Sequence, residues 1–190
     1  MSEGWVLRTV RDLAPREVDS TGLRLSAVLM LLRPSGIGPE DFDVVFTRRS
    51  AELPSHAGQV SFPGGRLEEA ESPWEAALRE TREELGIDTE GVECVGQLDE
   101  LITISDYHVT PFVGLVRGEF EYEPDEREVA RVFHVPLSAL LLQEAWEMHE
   151  HTYQSRQVQV WYFNYDGEVI WGVTGEILRG LLGYLWKVRP

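Results

Sequence analysis

Between Leu23 and Leu32 (LRLSAVLMLL) only Arg24 and Ser26 are polar, and the run ends at Arg33-Pro34-Ser35-Gly36. A short apolar stretch bounded by turn residues predicts a buried strand. Asp43–Thr47 (DVVFT) predicts a second strand, joined to the first as a hairpin through a turn at Gly36–Asp41. Residues Arg48–Gln59 keep no period and contain Pro54 and Gly58, so an irregular excursion is expected before a short strand at Val60–Phe62 and a sharp turn at Pro63-Gly64-Gly65.

The strongest helix signal follows. Ser72-Pro73-Trp74-Glu75 reads as N-cap, N1 proline and capping-box glutamate, and Gly86 as the C-terminal stop, so a helix is expected over 73–85. Val92–Thr103 and His108–Val116 predict strands around a Ser105-Asp106 turn, Arg127–Val135 another, and Pro136–Leu142 a short helix. Gln157–Asn164 alternates as a strand before an Asp166-Gly167 turn. Ile177, Leu178, Leu181, Leu182 and Leu185 give Thr174–Trp186 a helical stripe, with Thr174 as its N-cap.

Charge narrows the chemistry. Seventeen Lys and Arg against 33 Asp and Glu leave a formal charge of -16, opposite to what a nucleic-acid or anionic-membrane binder carries. A phosphorylated small molecule remains admissible where divalent cations or local arginines neutralise it. The one cysteine, Cys94, cannot form an internal disulfide and is expected to be a buried, inert thiol. No leader pattern opens the chain, and no apolar run is long enough to span a bilayer, so the default compartment is cytoplasmic.

At about 100° per residue, Glu83 lies near -60° and Glu84 near +40° from Glu80, so three carboxylates share one arc. Trp74, Ala77, Leu78, Thr81 and Leu85 form the neighbouring, packing flank. Like charges at these spacings repel, so the cluster opposes the helix unless something offsets it. Mg²⁺ or Mn²⁺, which prefer carboxylate oxygens, would do so.

Gly65, Glu71, Arg79-Glu80, Glu83-Glu84 and Gly86-Ile87 fall in the register G-x5-E-x7-R-E-U-x-E-E-x-G-U, with Thr81 where a bulky aliphatic is commoner. This resembles the box of the Nudix hydrolase superfamily. The resemblance implies an α/β fold, an α/β/α sandwich with a mixed β-sheet between helices, formed by residues 1–190 as one domain with 1–22 as an extension packed on it. It also implies metal-dependent hydrolysis of a nucleoside diphosphate derivative. Glu80, Glu83 and Glu84 would hold Mg²⁺ or Mn²⁺, Glu80 or a later carboxylate would help activate water, a carbonyl near Gly64 would complete the coordination, and Glu71 and Arg79 would pair across the loop. Glu128 is a better candidate than Glu126 for the extra carboxylate that such enzymes recruit as ligand or base.

The preceding stretch is similar to the coenzyme A pyrophosphatase signature LLTxR[SA]x3Rx3Gx3FPGG. Thr47, Arg49, Ser50, Gly58, Phe62, Pro63, Gly64 and Gly65 are in register, while Pro54 stands where the signature has arginine. The resemblance spans about residues 23–182 and implies cleavage of coenzyme A or acyl-CoA to (acyl-)4'-phosphopantetheine and adenosine 3',5'-bisphosphate. Arg48, Arg49, Ser50, His56, Phe62, Gly64, Gly65 and Arg66 would bind the substrate. The partner is then a CoA-like small nucleotide, not nucleic acid or membrane, and a homodimer is admitted with no interface specified. Two alternatives stand beside it: a pyrophosphatase for ADP-ribose or another nucleoside diphosphate derivative, and a non-catalytic Nudix-fold regulatory domain. His149-Glu150-His151 reads as a loop without a third metal ligand, and Trp74 and Trp161 read as structural.

Overall fold

The computed structural model describes residues 4–36, 38, 41–118, 121–153 and 156–189. The apolar run becomes β1 (Arg24–Pro34), parallel to β7 (Tyr107–Leu115) over its full register from Arg24↔Tyr107 to Leu32↔Leu115. On its other side β1 is antiparallel to β2 (Phe42–Arg49) near one end and to β4 (Gly64–Arg66) near the other. β2 carries β3 (Val60–Ser61) and β8 (Val129–Pro136), and β7 carries β5 (Glu93–Gln97) and β6 (Leu101–Ile102), all antiparallel. The sheet is mixed, and both its faces are covered.

Strand parity decides which helix covers which face. Ala27, Leu29 and Leu31 of β1 meet Ala76, Ala77 and Leu85 of α2 (Pro73–Leu85). Met30 and Leu32 meet the opposite layer, where Val6 and Val10 of α1 (Trp5–Arg11) and the stripe Ile177, Leu178, Leu181, Leu182 and Leu185 of α4 (Gly172–Val188) are buried. The expected α/β/α sandwich is thus present. α2 has its expected bounds because its signals are local: Ser72 Oγ accepts from Glu75 N–H at 3.3 Å, Ser72 N–H donates to Glu75 Oε2 at 2.9 Å, and Gly86 ends the helix at φ 68°.

Elsewhere tertiary contacts alter the expected elements. The strand expected over 92–103 is broken into β5 and β6, because Glu100 N–H turns to Arg16 O (2.9 Å) in the N-terminal extension. The expected sharp turn at Pro63-Gly64-Gly65 instead passes into β4, which pairs with β1. α3 (Leu137–Leu140) is a single turn. A second, three-stranded sheet, β9 (Trp146–Tyr153), β10 (Arg156–Tyr165) and β11 (Glu168–Ile170), absorbs His149-Glu150-His151 into a strand rather than a loop. Thr174 is not the cap of α4: Trp171 occupies that position, and Thr174 Oγ1 donates to Val60 O at 3.1 Å. Cys94 is exposed, not buried, because β5 is an edge strand with a register shift beside it. Of the turn expected over Gly36–Asp41, residues 37, 39 and 40 lie outside the described residues, as do residues 1–3 of the N-terminal extension and Pro190. No helix of the described residues is long and apolar enough to cross a membrane.

Phe46 is fully buried between Phe62 (5.1 Å between ring centroids) and Phe133 (5.6 Å). Phe46→Ala is therefore expected to lower unfolding free energy by about 3–5 kcal/mol, read from urea denaturation with an unchanged m-value.

Candidate active site

Arg79 on α2 ties the helix to the loop before it. Its Nε and Nη2 donate to Glu71 Oε1 and Oε2 at 2.9 and 3.0 Å, and Nη2 also reaches Arg66 O at 2.9 Å. Its Nη1 bridges Glu80 Oε1 (2.9 Å) and Glu83 Oε2 (3.2 Å). The pair expected between Glu71 and Arg79 is formed, and it holds the loop against the helix. Thr81, the soft departure in the motif, is buried and donates to Ala77 O at 2.7 Å.

The carboxylates on this helix have unequal surroundings. Glu83 is the exposed one, and Glu84 points into the seam between α2 and β4 with only 3% exposed. There Gly64 N–H donates to Glu84 Oε2 at 3.3 Å, and Arg49 Nη1 lies 3.7 Å from Oε1. These partners do not offset the burial, which pushes the Glu84 carboxyl up to about 8, with Glu80 and Glu128 adding to the rise. Burial also raises Glu80 despite Arg79, with Glu83 and Glu128 as further like charges. Glu80 rests where a Gly65 side chain would be: a Cβ on Gly65 would overlap the Glu80 carboxylate.

Glu128 sits in the exposed turn before β8. The backbone brings it there: Glu123 N–H donates to Leu85 O (2.9 Å), Asp125 N–H to Glu84 O (3.3 Å), and Ser50 N–H to Glu128 O (2.8 Å). Gly86 permits this approach, since a Cβ there would overlap the Glu123 carbonyl oxygen. The sequence marked Gly86 as a helix stop and as a position of the box, but contained no signal for the strapping of this acidic loop to the helix end.

The structure therefore gathers Glu80, Glu84, Glu128, Gly64, Gly65 and Arg49. The other residues expected to bind substrate make contacts of their own within the protein. Arg48, one residue from Arg49, faces the opposite side of β2, where it and Arg131 hold the buried Glu168 at 3.3 and 2.9 Å. Phe62, expected to touch substrate, is instead a buried core ring stacked on Phe46. Ser50 is buried and accepts from Glu52 N–H at 3.4 Å in the turn that opens the excursion. His56 is exposed at φ 56° with Nδ1 2.8 Å from Gln59 Oε1, and Arg66 turns its Nε to Tyr107 OH at 2.8 Å. Pro54 is exposed at the tip of the excursion.

Among the described residues no three His, Cys, Asp or Glu side chains are already gathered as a cation cage. Glu83 is drawn aside by Arg79, as mutual repulsion of bare carboxylates favours. The donor set nonetheless suits a hard divalent cation: carboxylate oxygens, one of them buried and under-compensated, with a further carboxylate facing them.

A model of the NUDIX domain matches residues 23–156. The Nudix hydrolase NudL of Pectobacterium atrosepticum is 39% identical over 140 residues, covering 73% of this chain and 72% of that one. The protein of the same name from Escherichia coli K12 is 36% identical over 139 residues, covering 73% and 72%. Among solved structures, a protein from Deinococcus radiodurans aligns with a TM-score of 0.54 at 18% identity over 90% of this chain and 93% of its own. A MutT/nudix family protein from Enterococcus faecalis aligns at 0.51 and 17% identity, over 94% and 65%. The two structures share the fold.

Two outcomes are expected. A Glu84 carboxyl raised from 4.5 to about 8 means that only the unfolded chain ionises freely between those values, so without cations stability falls as pH rises through that window. Glu84→Gln removes this loss: its melting temperature exceeds the wild type's at about pH 9, and the gap closes towards about pH 4. Gly65→Ala should fold, because the overlapping group is a movable side chain, but displacement of Glu80 should weaken Mn²⁺ affinity about tenfold or more by calorimetric titration.

Proposed function

The chain belongs to the Nudix family, and on that footing we propose that it hydrolyses the diphosphate of coenzyme A and its acyl thioesters to (acyl-)4'-phosphopantetheine and adenosine 3',5'-bisphosphate. Nudix hydrolases cleave pyrophosphate bonds with divalent cations, and the relatives' name supports turnover over a non-catalytic binding role. The observation that carries the finer reading is the meeting of the signature stretch with the box: Arg49 and Gly64, both signature positions, converge on Glu84.

In this reading Glu80, Glu83 and Glu84 would hold Mg²⁺ or Mn²⁺, with the Gly64 carbonyl as a further oxygen donor. A cation bound there would screen the diphosphate, orient it and lower the pKa of the attacking water. The chain's own residues do the rest. Arg79 fixes where Glu80 and Glu83 start, and Gly65 leaves room for Glu80. Glu128, the exposed carboxylate facing the pair, accepts the proton of the attacking water as its oxygen bonds to phosphorus. The bridging P–O bond breaks, and the leaving phosphate carries away the electron pair. Arg49, which lies against Glu84 in the seam, is placed to meet a phosphate oxygen.

The test is a product assay with CoA, acetyl-CoA, ADP-ribose, NADH and diadenosine polyphosphates in Mg²⁺ or Mn²⁺, read by chromatography. Preferred release of adenosine 3',5'-bisphosphate from CoA or acetyl-CoA is expected, with kcat falling about a hundredfold or more in Glu84→Gln. Preference for ADP-ribose would keep the diphosphatase chemistry and overturn the coenzyme A reading.

A further inference from the structure

A cleft away from the box helix, between α4, β10 and the segment running from Leu98 to Ile104, has a volume of about 1100 Å³. That is slightly above the roughly 300–1000 Å³ typical of small-molecule sites. Its walls are apolar and aromatic, with Ile102, Val160, Trp161, Val173 and Ile177 among them, and Ile104 stands 71% exposed at its edge. An apolar surface of this kind rimmed by polar groups marks a binding site more often than a free face.

Two cations line the cleft, the exposed Arg16 and the half-buried Arg179, and it is Arg179 that is held against aromatic rings. The Arg179 guanidinium lies over the rings of Trp161 (4.0 Å to the centroid), Trp186 (4.5 Å) and Trp146 (5.5 Å). Among the described residues it has no carboxylate within ion-pair distance and no hydrogen-bond acceptor, in a chain with 33 acidic groups for 17 basic ones. Burial pulls its pKa down, and no neighbouring carboxylate offsets the pull. The cleft's other acidic groups are mostly engaged. Asp99 accepts Arg16 N–H at 2.9 Å and Tyr184 OH at 3.4 Å, and Glu100 accepts Val18 N–H at 3.0 Å and pairs with His108 at 3.0 Å. Only Glu176, exposed on the same helix, adds an uncommitted negative charge near Arg179.

We infer that this cleft binds a small amphipathic carboxylate, its apolar body against Ile102, Val160, Val173 and Ile177 and its head on the edge of the Arg179 guanidinium. A guanidinium held flat on an indole keeps its donor edge free, and that planar fork matches a carboxylate bidentately. The Trp161 face is already taken by Arg179, and Trp171 is stacked on Tyr162, which argues against an organic cation as occupant. The site does not depend on the hydrolase reading, and its test uses no turnover.

The probe is octanoate, titrated into the full chain with tryptophan fluorescence and calorimetry as readouts, beside octan-1-ol and octylammonium. Saturable octanoate binding is expected, about tenfold or more tighter than octanol. Arg179→Gln should abolish that preference, Arg179→Lys should retain part of it, and Glu176→Gln should tighten octanoate about two- to threefold by removing the repelling charge. Val173→Asp should weaken octanoate and octanol alike, a readout that survives if Arg179 variants fold poorly. Equal binding of octanoate and octanol, stronger binding of octylammonium, or no saturable binding of any probe would each overturn the inference.

Discussion

The site turns on a carboxylate that has been taken out of water. Removing an ionised carboxylate from solvent costs several kcal/mol even after relaxation, so Glu84 has to be met by whatever positive charge and N–H dipole the fold can bring to it. Its neighbours make sense in that light. β4 delivers the Gly64 N–H, the end of β2 delivers Arg49, and neither is close enough to complete the compensation. The shortfall leaves the Glu84 carboxylate under-compensated.

Arg79 plays the complementary part on the wetter side of the helix. It satisfies Glu71, Glu80 and Glu83 together, so the loop from Arg66 to Glu71 is tied down by charge rather than by apolar packing. Such a strap is strong because its donors form a rigid fork, and it is selective for the same reason. The acidic excess of the chain is thus arranged locally, with arginines distributed so that some carboxylates are held and others are left under-compensated.

How much of this could be read from sequence depended on whether the signal was local. α2 was legible to the residue because cap, first-turn proline and terminal glycine act within a few positions of one another. Glu80, Glu84 and Glu128 were legible as candidates, but not the difference between the buried and the exposed ones, which comes from β4 crossing the helix. Arg48 and Arg49 show the opposite limit: adjacent residues on a strand point to opposite faces, and with both faces of β2 buried no polar alternation reveals which is which. β9 was missed because its exposed Glu-Met-His-Glu-His-Thr sequence has no buried side to print a period. α1 was missed because a helix of two turns takes its stability from the core it packs on rather than from its own signals.

Gly86 carries a further lesson about substitution. A left-handed helix terminus alone usually takes glycine but also admits asparagine, so the turn by itself would leave a choice of two amino acids. Here the Glu123 carbonyl occupies the space in which any Cβ would sit, and the carbonyl is backbone that cannot swing aside. The position is thereby reduced to a one-letter alphabet by its neighbour rather than by its own dihedral angles. A repair that restored the turn with asparagine would still push away the loop that brings Glu128 to the helix.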